Sequence, residues 1–166
     1  VRIGATQIRA KVVGEGANLG VTQRGRIEFA LRGGRINTDA IDNSAGVDCS
    51  DHEVNIKILL GAVVAAGDMT LKQRDSLLVA MTDEVARLVL RDNYAQTQAL
   101  SVTASRGAAL LDAQSRLIRE LERGHLKLNR AIEFLPDDEA LAERATAGIS
   151  LTRPEMAVLL AYAKMA

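Results

Sequence analysis

Apolar residues recur at helical spacing through most of the chain after residue 50. Ile56, Leu59, Leu60, Val63 and Val64 lie three, four and seven positions apart, which is the pattern of one apolar helix face. Two further stripes of this kind are formed by Leu77, Leu78, Met81, Val85, Leu88 and Val89, and by Leu110, Leu111, Leu117, Ile118 and Leu121. The pattern predicts about five helices in this part of the chain.

Short polar segments mark where these helices are expected to begin and end. Thr70 with Gln73, and Thr152 with Glu155, have the spacing of a capping box, and Pro154 falls in the first turn of the last helix. Glycine, proline, aspartate and asparagine predict the other boundaries, at Gly67-Asp68, Asp92-Asn93, Gly124, Pro136-Asp137-Asp138 and Gly148.

The first third of the chain has a different pattern. Residues 8–13, which end in the β-branched Val12 and Val13, and residues 35–41 are expected to be short strands. Residues 22–31 between them predict a helix. The order strand, helix, strand, loop, helix is typical of the tail of a βαβ unit. We therefore expect a fold that is mainly α with a small α/β part at its N-terminal end.

Composition narrows the classes of function. The 166 residues include 21 basic and 21 acidic side chains, so no net charge attracts nucleic acid or an anionic membrane. Two Phe, two Tyr and no Trp provide no platform for stacking bases. The longest apolar run, residues 58–66, is far shorter than the roughly 20 residues of a membrane span. We expect no nucleic-acid partner, no membrane segment and a cytoplasmic location.

The number and spacing of cysteine and histidine residues argue against a disulfide and against a metal site. Cys49 is the single cysteine, and His52 and His125 lie far apart, so neither an internal disulfide nor a metal site is expected. Cys49 lacks the partners of a nucleophile and is expected to be a small buried residue. His52, between Asp51 and Glu53, is expected on a helix surface rather than as a general base.

Two polar segments, each after a predicted strand, are the candidates for binding. The first is Glu15-Gly16-Ala17-Asn18, and the second runs from Asn43 to Glu53. Turns that follow strands in α/β proteins present free backbone N–H groups to nucleotides and small acids. The first segment departs from the dinucleotide template, because Leu19 occupies the place of its third glycine. A plain glycine turn is the alternative.

Taken together, the two segments resemble the glutamate dehydrogenases of the amino-acid dehydrogenase family. The corresponding family motifs read E-G-A-N and, further on, N-A-G-G-V-x-x-S-x-x-E. The run from Asp48 to Asn55 and the segment from Leu151 to Glu155 resemble the large bacterial NAD-specific form. The chain departs from the family pattern at Gly20, where proline is common, and at Ser44-Ala45, where the family has Ala-Gly.

The resemblance implies a role for each segment and a division of the chain. Asn18 would face the nicotinamide end of NAD, Asn43 would lie near both nicotinamide and substrate, and Ser50 would hydrogen-bond the side-chain carboxylate of glutamate. Residues 1–53 would be the C-terminal remnant of a Rossmann-like NAD-binding domain, and residues 54–166 a helical C-terminal region. The implied cofactor-binding residues are Glu15, Gly16, Ala17, Asn18 and Asn43.

Each of these residues also has a structural interpretation. Ser50 and Glu53 have the spacing of a capping box, so the sequence allows an N-cap role for Ser50 as readily as a substrate contact. Asn18 and Asn43 are of a residue type that favours turns, and each taken alone favours a turn role. The sequence leaves both interpretations open.

The resemblance also implies what this chain lacks. The family deaminates glutamate with a lysine and an aspartate of an upstream domain, and none of Lys11, Lys57 and Lys72 has the context of that lysine. We expect a fragment of a homo-oligomeric, NAD-dependent glutamate dehydrogenase that is inactive alone. The whole enzyme would convert L-glutamate to 2-oxoglutarate and ammonia. The alternative is a helical interaction or oligomerisation module without a small-molecule site.

Overall fold

The computed structural model describes residues 3–166, which form a mainly helical protein. Two 3₁₀ turns occur at Ala5–Gln7 and Gly107–Leu110. The α-helices of the described residues are α1 (Gln23–Leu31), α2 (Asp39–Asp42), α3 (Ser44–Ala65), α4 (Leu71–Ser105), α5 (Leu111–Arg123), α6 (Arg130–Glu133), α7 (Asp138–Ala147) and α8 (Arg153–Met165).

The two predicted strands are wrong, and with them the predicted α/β part and its Rossmann-like tail. Across residues 3–166 the extended segments pair through one isolated parallel bridge, between Val12 and Arg35, and no sheet forms. The Arg35 carbonyl accepts the Val13 N–H at 2.9 Å, and the Arg35 N–H is donated to the Lys11 carbonyl at 2.9 Å. β-Branched residues favour extended backbone, but a strand needs a ladder of partners, and Val12 is 64% exposed.

The predicted capping boxes are confirmed at the starts of α4 and α8. The Thr70 N–H is donated to Gln73 Oε1 at 2.9 Å, and the Gln73 N–H to Thr70 Oγ1 at 3.3 Å. At α8 the Thr152 N–H is donated to Glu155 Oε2 at 2.7 Å, with Pro154 in the first turn. Reciprocal capping satisfies N–H groups that have no partner inside the helix.

Helices α1, α5 and α7 also lie where the sequence predicts them. The side chains of Thr22 and Asp137 accept N–H groups from the first turns of α1 and α7. Gly124 ends α5, and Gly148 ends α7 with a left-handed φ of 68°. Local cap chemistry was therefore sufficient to locate these elements.

Two helices are longer than predicted. Helix α3 begins at Ser44, so Ser50 lies inside the helix and does not cap it. Helix α4 continues through Asn93 to Ser105, where a break was expected. The buried Ser44 hydroxyl donates a hydrogen bond to Asn93 Oδ1, and Asn93 Nδ2 donates to the Val89 carbonyl at 3.0 Å. These contacts place the two polar residues within helices instead of loops.

The chain divides into two compact units. The core unit comprises the described residues up to Asp42 together with Gln96–Ala166. Its main apolar cluster is drawn from α2, α4, α5, α7, α8 and the segments between them, and Ile118, Leu151 and Leu100 are at most 2% exposed. The boundary predicted at residue 53 concerns domains of a whole enzyme and stays a prediction.

A smaller apolar cluster of the core unit contains Ala5, Phe29 and Ile36. The turn after α1 depends on Gly34, whose N–H is donated to the Phe29 carbonyl at 3.1 Å. A Cβ atom at Gly34 would lie 2.3 Å from Phe29 Cε1, far inside van der Waals contact. The ring of Phe29 therefore covers the backbone of Gly34 and occupies the space that a side chain would need.

The hairpin unit, Asn43–Ala95, consists of α3 and the first part of α4, joined by a turn with Gly67 at φ 85°. Among residues 43–95, all of which the structure describes, the buried apolar side chains are Leu60 and Val89. A cavity of about 310 Å³ in this unit is lined by residues of both helices, among them Ile56, Met81 and Val85. The hairpin is loosely packed, and many of its large apolar residues are exposed.

Candidate functional site

The Glu15–Asn18 segment forms the start of a tight loop in the core unit. Asn18 and Leu19 both have left-handed backbone angles, with φ of 48° and 60°. Asparagine tolerates this conformation because its short polar side chain can bond locally, whereas for leucine it costs about 1–2 kcal/mol. Leu19 is 74% exposed, and Gly16, Ala17 and Asn18 are exposed too. The tip of the loop therefore faces outward and carries no charge.

The side chain of Glu15 is buried beneath this loop. Its Oε1 accepts the Val21 N–H at 3.1 Å and Arg26 Nη2 at 2.7 Å, and its Oε2 accepts Arg26 Nε. The side chains of Arg26 and Glu15 are 6% and 3% exposed. A bidentate buried pair of this kind fixes both partners in one geometry. Glu15 thus closes the loop across residues 16–20 and holds it against α1.

The backbone of Glu15 is held as firmly as its side chain. The Glu15 N–H is donated to Asp42 Oδ2 at 3.2 Å, and Asp42 Oδ1 accepts Asn37 Nδ2 at 2.7 Å. Asn37 Oδ1 in turn accepts Arg153 Nε at 2.7 Å. The sequence indicated Glu15, and it indicated Arg153 as part of a helix start, but it did not indicate Arg26, Asn37 or Asp42 or the contact of Arg153 with Asn37. No local pattern could have indicated the contact between Asn37 and Arg153, because 116 positions separate them.

A cavity of about 410 Å³ in the core unit borders the loop at Leu19. This volume falls in the usual range of small-molecule pockets, about 300–1,000 Å³. Arg26 contributes to its lining, as do Glu133 and Tyr162, whose hydroxyl donates to Glu133 Oε1 at 2.9 Å. That hydrogen bond and partial burial raise the pKa of Tyr162 above its ordinary value.

The second segment begins at Asn43, which immediately precedes helix α3 in the hairpin unit. The Asn43 carbonyl accepts the N–H groups of Gly46 and Val47 at 3.1 and 3.3 Å. A Cβ atom at Gly46 would lie 3.2 Å from Asn43 Oδ1, closer than side-chain carbons normally approach. Glycine at position 46 therefore leaves room for the Asn43 side chain beside the helix.

Ser50 lies on α3 with its side chain exposed. The N-cap interpretation of Ser50 is wrong, since Asn43 precedes the first residue of the helix. A hydroxyl at this position is free to donate a hydrogen bond toward an anionic group outside the helix. Cys49 is exposed instead of buried, contrary to expectation.

His52 lies on the same helix and contacts the residue one turn before it. Its Nδ1 is 2.8 Å from the Asp48 carbonyl oxygen and 3.2 Å from Asp48 Oδ1. The hydrogen bond to the Asp48 carbonyl, and the nearby carboxylates of Asp48 and Asp92, raise the pKa of His52 above its ordinary value of 6.5. His52 is partly exposed and paired within its own helix, as expected of a helix-surface residue.

The predicted site residues divide between the two units. Glu15, Gly16, Ala17 and Asn18 belong to the core unit, and Asn43 and Ser50 to the hairpin unit. Within residues 3–166, no three histidine, cysteine or acidic side chains are arranged to hold a metal ion. No helix of the described part is long and apolar enough to cross a membrane.

Residues 1–103 match the family model of the catalytic domain of bacterial NAD-glutamate dehydrogenase, and the chain belongs to this family. Both polar segments fall inside the matched residues. Helices α5 to α8 lie after them.

Similar proteins of known name belong to the same family. It is 60% identical over 166 residues to the NAD-specific glutamate dehydrogenase of Pseudomonas aeruginosa. It is 54% identical over 167 residues to the protein of that name from Mycobacterium tuberculosis, and 53% over 164 residues to the one from Halomonas elongata. Each alignment covers 99% of this chain and 10% of the relative, so the chain spans about a tenth of the length of these curated relatives.

Proposed function

We propose that this chain supplies part of the cofactor and substrate site of an NAD-dependent glutamate dehydrogenase. The whole enzyme would oxidise L-glutamate to 2-oxoglutarate and ammonia. The observation that carries the proposal is that both polar segments lie inside the residues that match the catalytic domain. The cytoplasmic location stays a prediction beside it.

The loop that starts at Glu15 has the features of one wall of an NAD site. Its tip is uncharged and exposed, and a Cβ atom at Gly16 would meet open space, so a ligand can approach the backbone closely. The Asn18 amide carries both a donor and an acceptor, which suits a carboxamide such as that of nicotinamide. NAD itself supplies the hydride acceptor, and the protein supplies binding and orientation. Glu15 would contribute by holding the loop in shape.

Asn43 and Ser50 would serve the substrate side of the site. The Ser50 hydroxyl would donate a hydrogen bond to the side-chain carboxylate of glutamate. Asn43, whose side chain is accommodated by Gly46, would face the nicotinamide and the substrate. These residues would bind and orient the substrate. The lysine that polarises substrate and water in the family, and the aspartate that shuttles protons, would come from another part of the enzyme. The chain by itself is therefore expected to produce no glutamate-dependent NADH.

Replacing Ser50 in the full-length enzyme tests the proposal cleanly. Because Ser50 lies inside α3 and caps nothing, Ser50→Ala should not weaken the helix, as alanine is the better helix former. The lost hydrogen bond to a carboxylate corresponds to about 1.5–3 kcal/mol, so the KM for glutamate should rise about ten- to a hundredfold. The KM for NAD should change much less.

The matched control is Ser76→Ala, which removes an exposed serine from α4 of the same hairpin. It should leave both Michaelis constants unchanged. A Ser50→Ala enzyme with the same KM for glutamate as the parent would overturn the substrate role. Activity of the isolated chain would contradict the proposal that essential groups lie elsewhere in the enzyme.

A second candidate role is association of whole-enzyme subunits through the hairpin unit. Val47, Val54 and Ile58 form an apolar stripe on α3 and are 48–66% exposed, and Val79 and Leu90 on α4 are 76% and 66% exposed. Exposed apolar patches of this kind often mark protein interfaces. If they join two copies, Val54→Lys should lower the oligomeric state in sedimentation experiments, and Lys72→Glu, a surface control on α4, should not.

A further inference from the structure

The C-terminal helices are connected to the Glu15 loop by a chain of hydrogen bonds. Arg153 is the first residue of α8 and lies beyond the residues that match the catalytic-domain family. Its Nε donates to Asn37 Oδ1, and Asn37 Nδ2 donates to the Asp42 carboxylate. Asp42 accepts the Glu15 N–H with its other oxygen. Arg153 Nη1 also donates to Ser101 Oγ at 3.3 Å, which fixes the guanidinium against α4.

The donors and acceptors in this series of hydrogen bonds follow from the chemistry of Arg153 and Asp42 at its two ends. A guanidinium can donate hydrogen bonds but cannot accept them, and an ionised carboxylate can accept but cannot donate. The amide of Asn37 between them must therefore turn its oxygen toward Arg153 and its nitrogen toward Asp42. Both ends hold the amide: the Asp42 carboxylate accepts from its nitrogen, and the Arg153 guanidinium donates to its oxygen and fixes the position of the Asn37 side chain.

A second contact joins the same turn of α8 to the other side of the loop. Gln23 Nε2 donates to the Pro154 carbonyl at 3.2 Å, and Gln23 is the first residue of α1. The loop between Glu15 and Gln23 is thus held at both ends by the first turn of α8. Asp42 also directly precedes Asn43 in the chain, so the carboxylate that holds the first segment adjoins the start of the second.

We propose that Arg153 is a positioning residue for the NAD site, which acts through Asn37 and Asp42 on the backbone of Glu15. The inference rests on the proposed function of the loop. It gives the helices after residue 103 a role in cofactor binding, although they contribute no predicted contact to NAD. Displacement of reacting groups by about 1 Å can cost a factor of about a hundred in rate, so a loosened loop should be visible in the kinetics.

The test uses the full-length enzyme with Arg153→Met, which keeps much of the side-chain length but removes the donors. At saturating glutamate, kcat/KM for NAD should fall about ten- to a hundredfold. Arg153→Lys retains one donor for Asn37 and should recover part of the loss. The control is Arg116→Met, which removes an exposed ion pair with Asp112 on α5 that is not part of the hydrogen bonds from Arg153 to Glu15. It should leave kcat/KM for NAD unchanged.

Two further measurements separate positioning from general support of the fold. If Arg153 acts through the loop, adding Arg153→Met to Asn18→Ala should cost little more than Asn18→Ala alone. Fully additive losses would overturn the inference. In hydrogen exchange, peptides spanning residues 15–22 should exchange at least tenfold faster in Arg153→Met, while peptides of α5 keep their parent rate.

The experiments distinguish failure of the positioning role of Arg153 from failure of the proposed role of the Glu15 loop in NAD binding. If Asn18→Ala lowers kcat/KM for NAD and Arg153→Met leaves it unchanged, the loop role stands and the positioning role falls. If Asn18→Ala itself has no effect on NAD kinetics, the proposed role of the loop fails. Unchanged exchange of residues 15–22 in Arg153→Met would overturn the link between Arg153 and the loop in either case.

Discussion

The core unit and the hairpin unit differ sharply in how they bury their residues. The core unit encloses an apolar cluster, a buried ion pair between Arg26 and Glu15, and a partly buried one between Arg144 and Glu155. The hairpin unit, across residues 43–95, buries two large apolar side chains and exposes many more. A buried charge pair needs rigid surroundings that satisfy every hydrogen bond. The comparison indicates that the core unit is built to hold fixed positions, whereas the hairpin has little packing of its own.

This difference separates the two halves of the proposed site. The loop of Glu15 is attached to the well-packed unit, and Asn43 and Ser50 to the loosely packed one. Precision at the cofactor wall would then come from within this chain.

Breaking a salt bridge should be costly in the core unit and nearly without effect in the hairpin. Arg26→Met leaves the Glu15 carboxylate buried without its cation and should lower the free energy of unfolding by about 3–5 kcal/mol. Lys57→Met breaks the exposed pair with Glu53 on α3, for which no measurable loss is expected. Urea unfolding of the isolated chain measures both. Equal losses would contradict the contrast between the units.

Truncating a buried apolar side chain should also lower the free energy of unfolding more in the core unit than in the hairpin unit. Ile118 is fully buried in α5, and Ile118→Ala should cost toward the upper end of about 2–5 kcal/mol. Leu60 on α3 is 8% exposed and belongs to neither apolar cluster, so the loss for Leu60→Ala should fall at the lower end of that range. Thermal unfolding of the two variants provides the comparison, and a larger loss at Leu60 would reverse it.

Amide exchange should separate the units without any substitution. Residues 77–90 of α4 belong to the hairpin, and we expect their amides to exchange at least about tenfold faster than those of α5. Local opening is easier where few buried apolar contacts must be broken. Equal protection of both helices in a monomeric sample would show that the hairpin is as stable as the core unit.

The smallest expected effect is a pH dependence at His52. Its raised pKa means that the folded chain favours the protonated ring, so its contribution to stability is present below about pH 6.5 and lost as the pH rises through the folded-state pKa. His52→Gln should therefore lower the melting temperature slightly near pH 5 and less near pH 8.5. If the difference in melting temperature between variant and parent grew as the pH rose, the protonated His52 ring would not be the stabilising form.

Local signals were enough to predict much of the helical structure. Thr70, Asp137 and Thr152 cap helices through contacts three residues away or fewer, and such spacings can be read from the sequence. The strands failed because pairing depends on partners distant in the chain, which Val12 and Val13 alone do not reveal. The start of α3 was missed because its small polar residues and glycine are typical of loops.

Local motifs could likewise suggest candidate binding residues but not the residues that support them. The family motifs drew attention to Glu15, Asn18, Asn43 and Ser50, but their supporting residues had no signal of their own. Arg153 was noticed as part of a helix start, and its contact with Asn37 became visible when the chain was folded. The binding roles of these residues stay predictions, and the long-range hydrogen bonds show how the loop that starts at Glu15 is held.

The close approach of Phe29 to Gly34 makes a prediction about how this segment can evolve. Any side chain at position 34 would collide with the ring, so the two positions cannot vary independently. In homologous sequences a residue other than glycine at 34 should be accompanied by a smaller residue at 29. Covariation of positions 29 and 34 would show in which homologues the turn after α1 has changed. It would also identify homologues in which the apolar cluster of Ala5, Phe29 and Ile36 is packed differently.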